Sequence, residues 1–337
     1  RRLLNRLEEF TAASSEGAYE LDYTKMDEET RQKLSALGYI GTFSASESVS
    51  GRNLGDPKDK IDVFNQLSHA RELSLQEQFD EAVAMVEEII QDDPNVVDAY
   101  FTLGNLYFKW GKFEDALDSF YQAVELKPND SFVMINIANS YVQLNQLEEA
   151  KTFLLDAVET VEPDSQIFLI LGNIHNSLDD DDRALEFYQR CIDINPSSAS
   201  AFNAMAGIHI THQNLEDARR YLERARELNP ELPNLFYHYA QMYEEMGDII
   251  KAEQAYQQEL EHVPHNFRAM FNLSRLYRLQ GDPDKELEYL EKTIETNPRF
   301  PMSYFYKARI YLNRGENYTE AIEWVKKGIE MEPGKKD

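Results

Sequence analysis

The sequence predicts an all-α solenoid, about eight helix-turn-helix units wound into a right-handed superhelix. Three observations carry this. Prolines stand at 94, 128, 163, 196, 230, 264, 298 and 333, at intervals of 33 to 35 residues. Small residues recur in register with them, and every block divides into two stretches with helical apolar periodicity.

The small residues form two columns. The first runs Ala70, Gly104, Ala138, Gly172, Ala206, Ala240, Ser274 and Ala308. The second runs Ala82, Ala116, Ala150, Ala184, Ala218 and Ala252, breaks at Glu286, and resumes at Ala321. An aromatic column holds Tyr107, Tyr141, Tyr243, Tyr277 and Tyr311, interrupted by Leu73, His175 and His209.

In residues 97–110, Tyr100, Leu103, Gly104 and Tyr107 share one helix face, and Gly111 ends the helix. In the second stretch Ala116, Phe120 and Ala123 share a face, and the helix must stop before Pro128. Small residues at 104 and 116 allow the two helices to approach closely. One such hairpin cannot cover its own apolar face, so neighbours must stack.

Tyr100, Leu103, Gly104, Tyr107, Ala116, Phe120, Ala123 and Pro128 resemble the tetratricopeptide repeat signature in full. The resemblance covers about residues 63–335 as eight copies. Blocks seven and eight depart most: Glu286 and Thr293 replace small residues, and one extra residue enters near Tyr318.

Residues 1–62 lack the period. "RRLLNRLEEF" reads as the end of a helix, and "MDEETRQKLSALGYIG" as a second one, with Asp27 as N-cap and Gly38 as stop. Residues 1–40 are therefore read as a helical tail and 41–62, rich in Ser and Gly, as a linker. "LSALGYIG", a polar linker and "DPKDKI" together resemble the junction of bacterial sulfatase-like hydrolases with such repeats. That resemblance implies that 1–40 is the end of an enzyme domain whose core lies elsewhere, and that the protein is periplasmic or secreted; without that linkage a cytoplasmic location is expected. The chain begins at Arg1 without a signal-peptide pattern and is expected to be a piece of a longer protein. The nucleophile motif of that family, Cys or Ser followed by x-Pro-x-Arg, does not occur here, since Cys191 stands in "RCIDINP". No hydrolase activity and no catalytic residue are expected of this chain.

Composition narrows the partners. Thirty-four basic against 61 acidic residues give a net charge of −27, which opposes binding to nucleic acid or an anionic membrane. No apolar run has the length of a membrane span. The one cysteine, Cys191, excludes an internal disulfide and a thiolate metal cluster, and is expected as a packed core thiol. No cofactor and no metal site are predicted. "HITH" (His209, His212) has zinc-like spacing, but His209 falls in the tyrosine column. "DDDD" (Asp179 to Asp182) lacks the alternating ligands of a calcium loop and reads as a solvated helix start.

What remains is a groove. Asn105, Asn139 and Asn173 repeat at 34 residues, followed in the same column by Gly207, Gln241, Arg275 and Arg309. In the arrangement that the resemblance implies, this column faces a concave surface, where side-chain amides can pair with the backbone of an extended peptide. The alternative is that the amides bond to neighbouring helices. Flanking columns hold Phe101, Ile135, Leu169, Asn203, Tyr237, Phe271 and Phe305, and Phe108, Val142, Asn176, Ile210, Glu244, Arg278 and Leu312. About half of these are expected as core. Phe101, Phe108, Ile135 and Val142 are the apolar peptide contacts predicted beside the amides Asn105, Asn139, Asn173 and Gln241. Arg268, Arg275, Arg278 and Arg309 make an anion-binding candidate, unless nearby glutamates pair with them.

The function expected is therefore a protein-interaction module holding a partner segment in its groove. One alternative is the accessory region of a sulfatase-like hydrolase, in cis contact with that domain. Another is the adaptor region of a protein glycosyltransferase, whose repeats the asparagine ladder also resembles.

Overall fold

A computed structural model describes residues 57–162, 164–315 and 318–331. The two helices expected in residues 1–40, and Asp27 with them, lie outside the described residues, as does most of the stretch read as linker.

Sixteen helices follow one another without a strand among the described residues: α1 (Pro57–Leu75), α2 (Phe79–Asp92), α3 (Val97–Trp110), α4 (Phe113–Leu126), α5 (Ser131–Gln143), α6 (Leu147–Ala157), α7 (Ser165–Ser177), α8 (Asp181–Ile194), α9 (Ala199–Thr211), α10 (Leu215–Leu228), α11 (Leu235–Glu245), α12 (Ile249–His262), α13 (Phe267–Gln280), α14 (Pro283–Thr296), α15 (Pro301–Arg314) and α16 (Tyr318–Glu330). They pair into eight hairpins. Helix α1 begins at Pro57, within the residues read as linker.

The period is written into the backbone at both ends of each helix pair. Helices α2, α4, α8, α10, α12 and α14 all stop two residues before a proline. The residue in between is pushed out of helical geometry, as at Lys127 (φ −139°) and Asn229 (φ −150°). Inside each hairpin one residue adopts the left-handed conformation: Glu77, Gly111, Asn145, Asp179, Gln213, Gly247, Gly281 and Gly315. These eight positions are spaced by 34 residues, and half of them carry a side chain that disfavours this conformation.

The small columns do what their size requires. Gly104 meets Phe120 and Gly172 meets Tyr188, both rings fully buried between the helices of their own hairpin. The aromatic column joins hairpins instead. Tyr107 donates to Glu87 (3.4 Å), Tyr277 donates to Glu253 (2.9 Å), and the Tyr141 and Tyr121 hydroxyls lie 2.7 Å apart. His175 departs from this role, pairing with Asp180 (3.1 Å) within its own turn. His209 stacks on Tyr221 at 5.2 Å.

One start needs help from a neighbour. Asn234, before α11, is left-handed and gives no side-chain cap. The fully buried Glu259 of α12 takes its place, accepting from the backbone N–H of Asn234 (2.8 Å) and Tyr237 (3.2 Å) and from Asn266 (2.9 Å). The carboxylate is thus held by three donors at the positive end of a helix.

Each helix packs mainly on its neighbours in sequence. In addition, the first helices of successive hairpins touch directly, α3 with α5, α5 with α7, α7 with α9 and α9 with α11. No comparable contact joins second helices among the described residues. From α3 to α11 the first helices therefore crowd together on the inner side of the stack, and α13 and α15 follow in the same register.

Candidate functional site

The predicted columns lie on those first helices. Residues 101, 105 and 108 stand at i, i+4 and i+7 of α3, and the same register repeats on α5, α7, α9, α11, α13 and α15. The surface divides into an amide and apolar part, from α3 to α7, and a cationic part, from α13 to α15.

In the first part Asn105 and Asn139 are half-buried and Asn173 is exposed. Asn105 Nδ2 donates to the Phe101 carbonyl one turn back (3.0 Å), and Asn173 Oδ1 accepts from the Tyr188 hydroxyl (2.8 Å). The Asn139 amide has no side-chain hydrogen bond among the described residues. A primary amide offers two donors and two acceptor sites, so each of the three retains unused capacity. The apolar flanks differ. Phe101, Phe108 and Val142 are half-buried, with Phe101 against Phe120 (5.9 Å) and Phe108 edge-on to Phe113 (5.3 Å). Ile135 is only 7% exposed and belongs to the core that α5 shares with α7. Phe132 on α5, which sequence reasoning passed over, is 64% exposed one turn before Asn136 and two before Asn139. It had a readable signal: it lies seven residues before Asn139, on the same helix face.

The arginines do not act as one group. Arg309 contacts the carboxylate of Glu286, itself 4% exposed. Arg278 also attracts that carboxylate, although burial dominates and raises its pKa. Both guanidinium groups lie over the Tyr306 ring, at 5.2 and 4.7 Å. The glutamate that breaks the alanine column is therefore the counter-ion of one predicted site residue, Arg309, and attracts a second, Arg278. Arg275 instead donates to Asn272 (3.2 Å), and Arg268 is exposed.

Gln241 donates to the Tyr237 hydroxyl one turn back on α11 (3.3 Å), between the two parts. Next to it, His238 and Asn203 hydrogen-bond between hairpins (2.9 Å), with the imidazole against Gly207. Burial pushes the His238 pKa down to about 4. The histidines of "HITH" serve separate contacts, since His212 pairs with Asp181 (2.8 Å) while His209 stacks. Asp180 of "DDDD" caps α8 by accepting from the Arg183 N–H. Cys191 is buried, which raises its pKa, and donates weakly to Ser198 (3.5 Å).

Models of the tetratricopeptide repeat match residues 97–130, 133–160, 165–198, 231–298 and 289–323, together more than half of the chain. The chain is a tetratricopeptide repeat protein. Hairpins one and five, outside those matches, show the same helix pairing and the same left-handed turn at Glu77 and Gln213. Among solved structures, a tetratricopeptide repeat protein from Parabacteroides merdae is 18% identical with a TM-score of 0.54, over 74% of this chain and 94% of that one. The APC/C hetero-tetramer Cut9-Hcn1 gives 16% identity and a TM-score of 0.60, over 92% of this chain and 57% of that one. The human IFIT1 dimer with PPP-AAAA gives 16% and 0.52, over 75% and 69%. At such identities the likeness is one of fold. No curated protein sequence matches this chain. No helix of the described residues is long and apolar enough to cross a membrane.

Proposed function

We propose that this tetratricopeptide repeat protein is a protein-interaction scaffold whose inner face holds an extended segment of a partner. One observation carries the reading: amides at one register of adjacent first helices keep unused hydrogen-bonding capacity beside half-buried aromatic rings. A backbone laid across α3, α5 and α7 would find a donor and an acceptor at each helix, whatever its sequence. Phe101, Phe108, Val142 and the exposed Phe132 would receive its apolar side chains. The net charge of −27 opposes binding of the chain to nucleic acid.

Selection of uncharged linear peptides from a random library tests this. The chain carrying Asn105→Ala, Asn139→Ala and Asn173→Ala together should bind the selected peptides about tenfold more weakly, roughly one lost hydrogen bond, with helicity unchanged. Unaltered binding by that variant overturns the reading.

A second reading rests on "LSALGYIG" in residues 34–41. If the chain is the C-terminal part of a sulfatase-like hydrolase, the same face recruits substrate carriers or positions the catalytic domain. A Cys/Ser-x-Pro-x-Arg motif encoded upstream of Arg1 would support this, and its absence from the full coding sequence would retire it.

A further inference from the structure

The inner face changes character where α11 meets α13. Gln241 and Asn272 both donate to the Tyr237 hydroxyl, at 3.3 and 3.4 Å. The Asn272 amide also donates to the Tyr256 hydroxyl (2.9 Å), which in turn donates to Glu244 (2.6 Å). Arg275 closes the cluster by donating to the Asn272 side-chain oxygen. Burial raises the Tyr237 pKa while Arg268 and Arg275 pull it down and Glu244 pushes it up, so both guanidinium groups bear on this hydroxyl.

Arg268 and Arg275 stand two turns apart on one face of α13. Neither has a carboxylate partner among the described residues, unlike Arg309, which pairs with Glu286. The Glu244 carboxylate on α11 is engaged by Tyr256. Around Arg275 the polar side chains are fixed by hydrogen bonds rather than left to solvent, so its guanidinium is held in place.

We propose that Arg268 and Arg275, with Gln241 and Tyr237 beside them, form a carboxylate-binding site for acidic side chains of a bound polypeptide. The proposal rests on the inner face being the binding face, and it adds the partner's chemistry. The segment is acidic where it crosses α13 and uncharged where it crosses α3 to α7.

The test compares a fluorescein-labelled oligoglutamate peptide with its oligoglutamine counterpart by anisotropy at low salt, using the full chain. Oligoglutamate should bind about tenfold more tightly, the order expected of charge-assisted hydrogen bonds. The Arg268→Ala/Arg275→Ala chain should lose that preference and Arg278→Ala should keep it. Arg268→Glu, a change at an exposed position, should reverse it with helicity intact. Equal binding of the two peptides overturns the proposal, as does a preference that survives loss of both arginines. An oligophosphoserine peptide that alone binds through these arginines would also overturn it, replacing carboxylate by phosphoryl chemistry. The outcome is separable from that of the amide variants. Oligoglutamate preference without neutral-peptide binding retires the amide groove and keeps this site, and the converse retires this site alone.

Discussion

Gly104 offers the sharpest test of why this chain repeats as it does. A methyl carbon added there would stand 2.5 Å from two ring carbons of Phe120, which is fully buried and cannot swing aside. Gly104→Ala gains about 1 kcal/mol of helix propensity, against about 2–3 kcal/mol, the upper part of the usual range, for forcing an extra carbon into so close a contact. A net loss of about 1–2 kcal/mol follows. Phe120→Leu alone leaves a void and loses about 1–2 kcal/mol. The two together should lose no more than Phe120→Leu does, because the smaller side chain vacates the space that the methyl needs. The chain already uses that combination: Ala138 with Leu154, and Ala206 with Leu222, at the same register and all fully buried. Ala240 opposite Tyr256 shows that a hairpin can also be built around methyl and ring together, which keeps the expected loss at the lower end.

The assay is urea unfolding of the four chains, followed by circular dichroism, with hydrogen exchange locating the loosening. Stability in such arrays is a sum of hairpins and their interfaces, so exchange should rise first in α3, α4 and their neighbours. The coupling energy of the double-mutant cycle should be about 1–3 kcal/mol. Additive losses would refute the reasoning, and so would Gly104→Ala leaving unfolding unchanged, since then the close approach would not be what demands glycine.

Three further outcomes follow from the same coordinates. Gln213→Gly should stabilise the chain by about 0.5–1 kcal/mol, because Gln213 holds φ +59° where four equivalent turns use glycine, and melting temperature would show it. His238 stays neutral in the folded chain with a pKa near 4, whereas an unfolded histidine titrates near 6.5. The unfolded state then binds more protons between those values, so this contribution is whole above about pH 6.5 and is lost as pH falls towards 4. Unfolding midpoints at neutral and mildly acidic pH should differ less for His238→Gln than for the parent chain. Arg309→Ala strands the buried Glu286 and should cost about 3 kcal/mol, while Glu286→Ala restores the small residue of its column and should stay within about 1 kcal/mol. Equal losses in urea unfolding would show that Glu286 matters for packing rather than as a counter-ion.

Much of the fold was legible because the period and the packing chemistry coincide. Helix α3 spans the 97–110 predicted from its apolar face, Gly111 ends it, and α4 stops ahead of Pro128. The left-handed turns were legible only where glycine marks them. At Glu77, Asn145, Asp179 and Gln213 the surrounding hairpin imposes the conformation, and composition does not report it. The candidate face was legible as columns but not as partnerships. Ile135 reads like Phe101 and Val142 in sequence, yet it lies in the core because α7 packs over it. The cap from Glu259 links α12 to a helix start 25 residues earlier, a contact that exists only once the hairpin of α11 and α12 has closed.

The arginines show how a local irregularity divides a surface. Four guanidinium groups in related positions read as one anion clamp, and the sequence also offered many glutamates to oppose them. The structure selects a single one. Glu286 sits where every other hairpin places alanine, so its carboxylate is buried between helices and reaches forward to α15. That position draws in Arg309 and Arg278, and Tyr306 covers both from the other side. Arg275 instead donates to Asn272 on its own helix, and Asn272 reaches Tyr237 of the preceding hairpin, where Gln241 also donates, so this group offers neutral partners only. A column break in the second helix thus determines which cations on the first helices remain open to an acidic partner. Glu286→Ala makes that argument measurable: freeing Arg278 and Arg309 should tighten oligoglutamate binding about threefold to tenfold over the parent chain. Unchanged affinity would mean that the paired arginines were never withheld from the face, and the division drawn here would fall.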